Sequence, residues 1–179
     1  MSEADELKEA AERAKESKQL APVSLTMAIF AVLVATVTLL GHRAHTEEIL
    51  LQNKATDEWN FYQAKNMRRN NLEALDDVLT ALENTKEERA EEVRKRFHDE
   101  IDKYRDQQKD IQTEAKDLEV DVQRTSRRAD RFDLGEVFLE IALVVTSITL
   151  LTERRAYWYF GIVLAVVGLG CAASAWFVH

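Results

Sequence analysis

The chain has 179 residues, 46% of them hydrophobic and 31% charged, with a formal net charge of −8. Between Arg43 and Arg131 there are 18 Lys and Arg against 22 Asp and Glu, and such mixed charge excludes the concentrated positive field of a nucleic-acid surface. Charged and apolar residues are segregated along the chain, which excludes one globular core and predicts an all-α protein: three transmembrane helices with a long antiparallel coiled-coil hairpin between the first and second.

Residues 1–19 read as a charged N-terminal tail, rich in Glu and Asp with interleaved Lys and Arg. Residues 20–41 carry no charge. At ~1.5 Å rise per residue this length matches a hydrocarbon core of ~30 Å, so it is the first transmembrane helix. Its sole proline, Pro22, is expected just inside the start of the span, where a missing N–H costs least. The apolar run follows an acidic tail and is long enough to stay as an anchor, so no cleavable signal peptide is expected.

Residues 42–133 form the predicted helical hairpin and contain neither Gly nor Pro. The outgoing arm has apolar positions at Ile49, Leu51, Ala55, Trp59 and Tyr62, then Leu72, Leu75, Leu79 and Leu82 at 3-4-3 spacing. Lys65, Asn66, Arg68, Arg69, Asn70 and Asn71 interrupt this stripe, so either the seam is polar there or the register shifts. The turn is expected near 84–86, where Thr85 and Glu88 make a capping box. The returning arm has a 3-4 stripe: Ala90, then from Phe97 without a break Ile101, Tyr104, Gln108, Ile111, Ala115, Leu118, Val122, Thr125, Ala129 and Phe132, continuing to Glu136 and Leu139. Leu75, Leu79 and Leu82 are expected to pair with Ala90, Val93 and Phe97. Each arm of roughly 40 residues reaches about 60 Å from the membrane. A two-helix hairpin buries one stripe per helix, so a homo-oligomer is expected.

Residues 134–152 are the second transmembrane helix and 156–178 the third, joined by a link too short for anything but a tight turn. The third opens with Tyr157, Trp158, Tyr159 and Phe160 and closes with Trp176 and Phe177, as interfacial aromatic belts do. Its Gly161, Ala165, Gly168 and Ala172 share one face, where small residues let helices approach closely. The single Cys171 cannot form an intrachain disulfide. The charge bias of the flanks is nearly balanced. The short loop carries Arg154 and Arg155, which favours a cytoplasmic amino terminus and an extracytoplasmic hairpin; the cluster Arg124–Arg131 points the other way.

Two groups of residues stand out. Asp133, Glu136 and Glu140 lie on one helix face and share a membrane boundary with His42, Arg43 and His45. Glu140 falls well inside its span, where a carboxylate costs about 2.5–3.5 kcal/mol. The acids read as interhelical hydrogen-bonding groups or an ion pair with Arg43 or His42, as an ion or proton site in a pore, or, with two histidines and no third well-placed ligand, as a metal site; no metal or cofactor is expected. The second group, Trp59, Phe61, Tyr62, Gln63 and Lys65, reads as hairpin core or as a partner or oligomer contact. No phosphate loop, nucleophile elbow, zinc pattern or Ser-His-Asp set is present, so no catalytic activity is expected.

The run from Gly41-His42 through Glu47 and Glu48 to Asn53–Lys65, with Asp57, Trp59, Tyr62, Gln63, Ala64 and Lys65 at its core, resembles domain-of-unknown-function family 4337 of small bacterial membrane proteins. Leu150-Leu151-Thr152 with Arg154-Arg155, ahead of an aromatic-rich last span, is similar too. The resemblance implies a multi-pass bacterial inner-membrane protein with three spans and a helical centre, and it implies no activity. The reading is therefore a membrane-anchored oligomeric coiled-coil scaffold or interaction protein, with an ion-conducting channel or transporter subunit using the intramembrane acids as the alternative. Its partners are the bilayer, further copies of itself and a protein bound through the hairpin, with no nucleic acid.

Overall fold

A computed structural model describes the backbone of residues 3–81 and 88–178 and the side chains of residues 20–80 and 91–178. The described residues hold three helices: α1 (Glu3–Ala81), α2 (Glu88–Thr152) and α3 (Arg155–Ser174), followed by a 3₁₀ turn at Ala175–Phe177. No strand occurs among the described residues. Each helix contains a stretch long and apolar enough to cross a membrane. The turn expected near 84–86, Leu82, and the packing of Ala90 lie outside the described residues.

The contacts divide the chain into two compact units. The first comprises Met1–Thr46 with Arg124–His179, and the second Glu47–Gln123. In the first unit the core is Phe30, Val37, Ala44, Ala129, Phe132, Leu139, Ala142, Ala165, Ala172 and Ala175. Along α1, Val23, Met27, Phe30, Val34, Val37, Gly41 and Ala44 are all buried or half-buried. Their alternating 4-3 spacing keeps them on one face of a helix. Pro22 does not stand in a first helical turn, because α1 has already begun at Glu3. It sits inside the helix, on its exposed side, and Thr26 donates its hydroxyl to the Pro22 carbonyl at 2.8 Å.

The second unit pairs α1 with α2. Trp59 bonds Glu119, Lys65 bonds Gln107, Arg69 bonds Gln108, and Asp76 meets His98. From Trp59 to Asp76 on α1 the α2 partner runs from Glu119 back to His98. On α2 the half-buried or buried positions include Phe97, Ile101, Tyr104, Gln108, Ile111, Ala115, Leu118 and Val122. On α1 they include Glu48, Leu51, Ala55, Glu58, Tyr62, Lys65, Arg69, Leu72, Asp76 and Leu79. Ile49 and Leu75, read above as stripe residues, are 61% and 51% exposed. The 4-3 spacing does not shift at the polar interruption. It runs through Lys65 and Arg69, and it puts Asp76, not Leu75, on the inner face.

The link between α2 and α3 is Glu153-Arg154. Glu153 has φ of 54°, and its N–H donates to the Thr149 carbonyl at 2.8 Å, capping α2. A left-handed residue reverses the chain within two positions, as the short link requires.

Candidate functional site

The acidic group of α2 is split by the structure. Thr38 of α1 donates its hydroxyl to Glu136 at 2.6 Å, with the Val34 carbonyl also within reach at 2.9 Å. His45 lies 3.1 Å from Asp133, and Gly41 leaves room for that carboxylate: a Cβ there would stand 3.3 Å from Asp133 Oδ1. The partners of Glu136 and Asp133 are thus Thr38 and His45. Of the two forms expected, Glu136 takes the interhelical hydrogen bond; His42 and Arg43 are exposed and make no ion pair with Glu136 or Glu140. Glu140 is exposed, without a hydrogen bond or ion pair to any described residue. Its neighbour Leu139 is fully buried, so a one-position step on the helix turns Glu140 out of the packed face. Among the described residues no three His, Cys, Asp or Glu converge as metal ligands.

The aromatic cluster on α1 is also divided. Trp59 stacks edge-on against Tyr62 at 5.6 Å and donates its indole N–H to Glu119 at 2.8 Å. Lys65 bonds Gln107 at 2.9 Å and stands 5.1 Å from both the Phe61 and Tyr104 rings. Phe61 and Gln63 face outward, Phe61 at 50% exposure.

Beside this cluster is a polar layer that the sequence reading did not assemble. Gln108, only 3% exposed, accepts from Arg69 at 2.7 Å. Asn66 accepts from Arg69 at 2.8 Å and from Gln108 at 3.3 Å. Glu73 pairs with Arg69 at 3.5 Å and Arg105 at 3.8 Å. The signal was present: Gln108 occupies a stripe position on α2, and Arg69 follows the 4-3 spacing on α1.

Gly161, Ala165, Gly168 and Ala172 of α3 are buried, and the two glycines lie against α2. A Cβ on Gly161 would collide with Thr146 Oγ1 and stand 3.1 Å from the Ala142 carbonyl. One on Gly168 would stand 2.9 Å from the Gly135 carbonyl, and one on Gly135 2.8 Å from Ala172. Ala165 and Ala172 are 2% and 6% exposed. Gly135 and Thr146 complete this contact and were not singled out from the sequence; the hydroxyls of Thr146 and Thr149 are buried without a hydrogen-bond partner among the described residues.

Searches of curated proteins and of solved structures gave no match. A family model described as a domain of unknown function, DUF4337, matches residues 19–178. That match takes in all three apolar stretches and both polar arms, and the chain belongs to the DUF4337 family.

Proposed function

We propose that the chain is a membrane-anchored oligomeric scaffold, with three transmembrane spans and a polar antiparallel coiled-coil hairpin that meets partner proteins. The observation that carries this reading is the continuous inner face of α1 and α2. Positions at 4-3 spacing stay buried or half-buried from Val23 to Leu79 on α1 and from Phe97 to Leu139 on α2, through apolar and charged sequence alike. Such a repeat specifies helix pairing, and the reversed order of the α1–α2 contacts fits an antiparallel pair. Arg154 and Arg155 in the short link favour a cytoplasmic amino terminus in a bacterial plasma membrane. Phe61, Gln63 and the outer surface of the second unit are the surface offered to a partner.

The third span is not offered for assembly in this reading, since its small-residue face is already spent on α2. Chemical crosslinking in native membranes tests the scaffold: linked homo-oligomers and a co-purifying partner are expected, and a strictly monomeric protein without one contradicts it. A second reading, an ion-conducting oligomer, draws on the exposed carboxylate of Glu140 within an apolar span. It requires cation flux in reconstituted liposomes that Glu140→Gln abolishes.

A further inference from the structure

Within the first unit, the flank of the α1–α2 contact holds two adjoining stripes. On α1, Ser24, Ala28, Ala31 and Ala35 recur at 4-3-4 spacing, all exposed, and Thr38 follows three residues on. On α2, Val137, Glu140 and Val144 follow at 3-4 spacing and are also exposed. The stripes adjoin because Thr38 bonds Glu136, while His45, further along the α1 stripe, meets Asp133, one turn before Val137. Glu140 also lies between Gly135, which touches Gly168 and Ala172, and Ala142, which touches Gly161. It is therefore level with the middle of α3, deep in the apolar stretch.

We infer that this two-stripe face packs against the same face of a second copy of the chain, with the Glu140 carboxyls hydrogen-bonded to one another inside the contact. The inference rests on the membrane-anchored reading above. Lipid tails offer no hydrogen-bond partner, so an outward carboxyl at this depth is costly unless protein covers it. A second copy is the fitting cover. Copies related by a twofold axis along the membrane normal keep each residue at its own depth, so carboxyl meets carboxyl. Two carboxyls in contact do not both ionise; at least one keeps its proton and donates it to the other. The alanines of α1 let the backbones approach closely enough for this bond to form.

Single cysteines in the full chain, in a Cys171→Ala background and in native membranes, test the contact. On addition of a lipid-permeant oxidant, Val137→Cys and Val144→Cys are expected to give disulfide-linked dimers, at about tenfold the yield of Val163→Cys and Val166→Cys on the outer side of α3. Glu140→Leu is expected to weaken dimerisation roughly three- to tenfold, the worth of one interhelical hydrogen bond, and Glu140→Gln to preserve it. Equal or higher yields on α3 overturn the inference. So does rapid labelling of Glu140 by a hydrophobic carbodiimide, which places lipid at the carboxyl, or cation flux that depends on it, which places water there. An oligomer by light scattering without the α2 crosslinks overturns this contact and leaves the scaffold standing; a monomer overturns both.

Discussion

Three residues carry tests of their own. Glu153 occupies the left-handed region with φ of 54°, where a side chain costs roughly 1–2 kcal/mol and glycine does not. Glu153→Gly is expected to raise the melting temperature of the purified protein in detergent; an unchanged or lowered value contradicts the strain. Gly161 and Gly170 differ in what a methyl group would meet: Thr146 and the Ala142 carbonyl at the first, nothing within 4 Å at the second. Gly161→Ala is therefore expected to destabilise by about 1–3 kcal/mol, as overpacking does. Gly170→Ala is expected to be neutral or slightly stabilising, since alanine is the better helix former. Equal melting temperatures for the two variants contradict the close α2–α3 approach. Thr38→Val removes the hydroxyl that donates to Glu136. A loss of about 1–2 kcal/mol is expected, because the carboxylate is left without its donor.

At the scale of elements, the layer of Asn66, Arg69, Glu73 and Gln108 sets how α1 and α2 meet in the second unit. Polar groups at seam positions fix register at some expense of stability. Gln108→Leu alone leaves the Arg69 guanidinium short of an acceptor and is expected to lower stability by about 1–3 kcal/mol. Adding Arg69→Leu is expected to recover most or all of that loss, since replacing both partners of a buried hydrogen bond by apolar groups is nearly neutral. Thermal melts of the full chain followed by circular dichroism decide, and a double variant weaker than the single one contradicts the account. The two helices differed in how readily they could be read. On α2, apolar residues fill most inner positions, so the spacing from Phe97 to Phe132 picks out residues the structure buries or half-buries. On α1 the inner face includes Glu48, Glu58, Lys65, Arg69 and Asp76, while Ile49 and Leu75 face outward. Counting apolar residues fails there because long charged side chains cover the seam with their methylene stems. Asp76, too short for that, meets His98 instead. Glu136 and Glu140 show the same limit. Both read as one acidic face, but the single-position offset from Leu139 separates a bonded carboxylate from an exposed one.

For the whole molecule, the three-helix composition and the apolar stretches follow from segregated hydropathy, which length and charge alone expose. Membership in DUF4337 covers residues 19–178 and brings no activity with it. The function proposed for the chain therefore rests on what its helices can assemble. The α3 small-residue face is occupied within the chain, Glu140 faces outward, and the outer surface of the second unit is mostly charged with scattered apolar side chains. In the membrane-anchored reading proposed above, a single copy would leave the Glu140 carboxyl without a partner in the bilayer, and assembly would supply one. The most direct test is the mass of the full-length chain in lipid nanodiscs, measured by light scattering with the lipid contribution subtracted. The account predicts a stable integral multiple of the single-chain mass; the mass of one chain, unchanged as the protein-to-lipid ratio is raised, contradicts it.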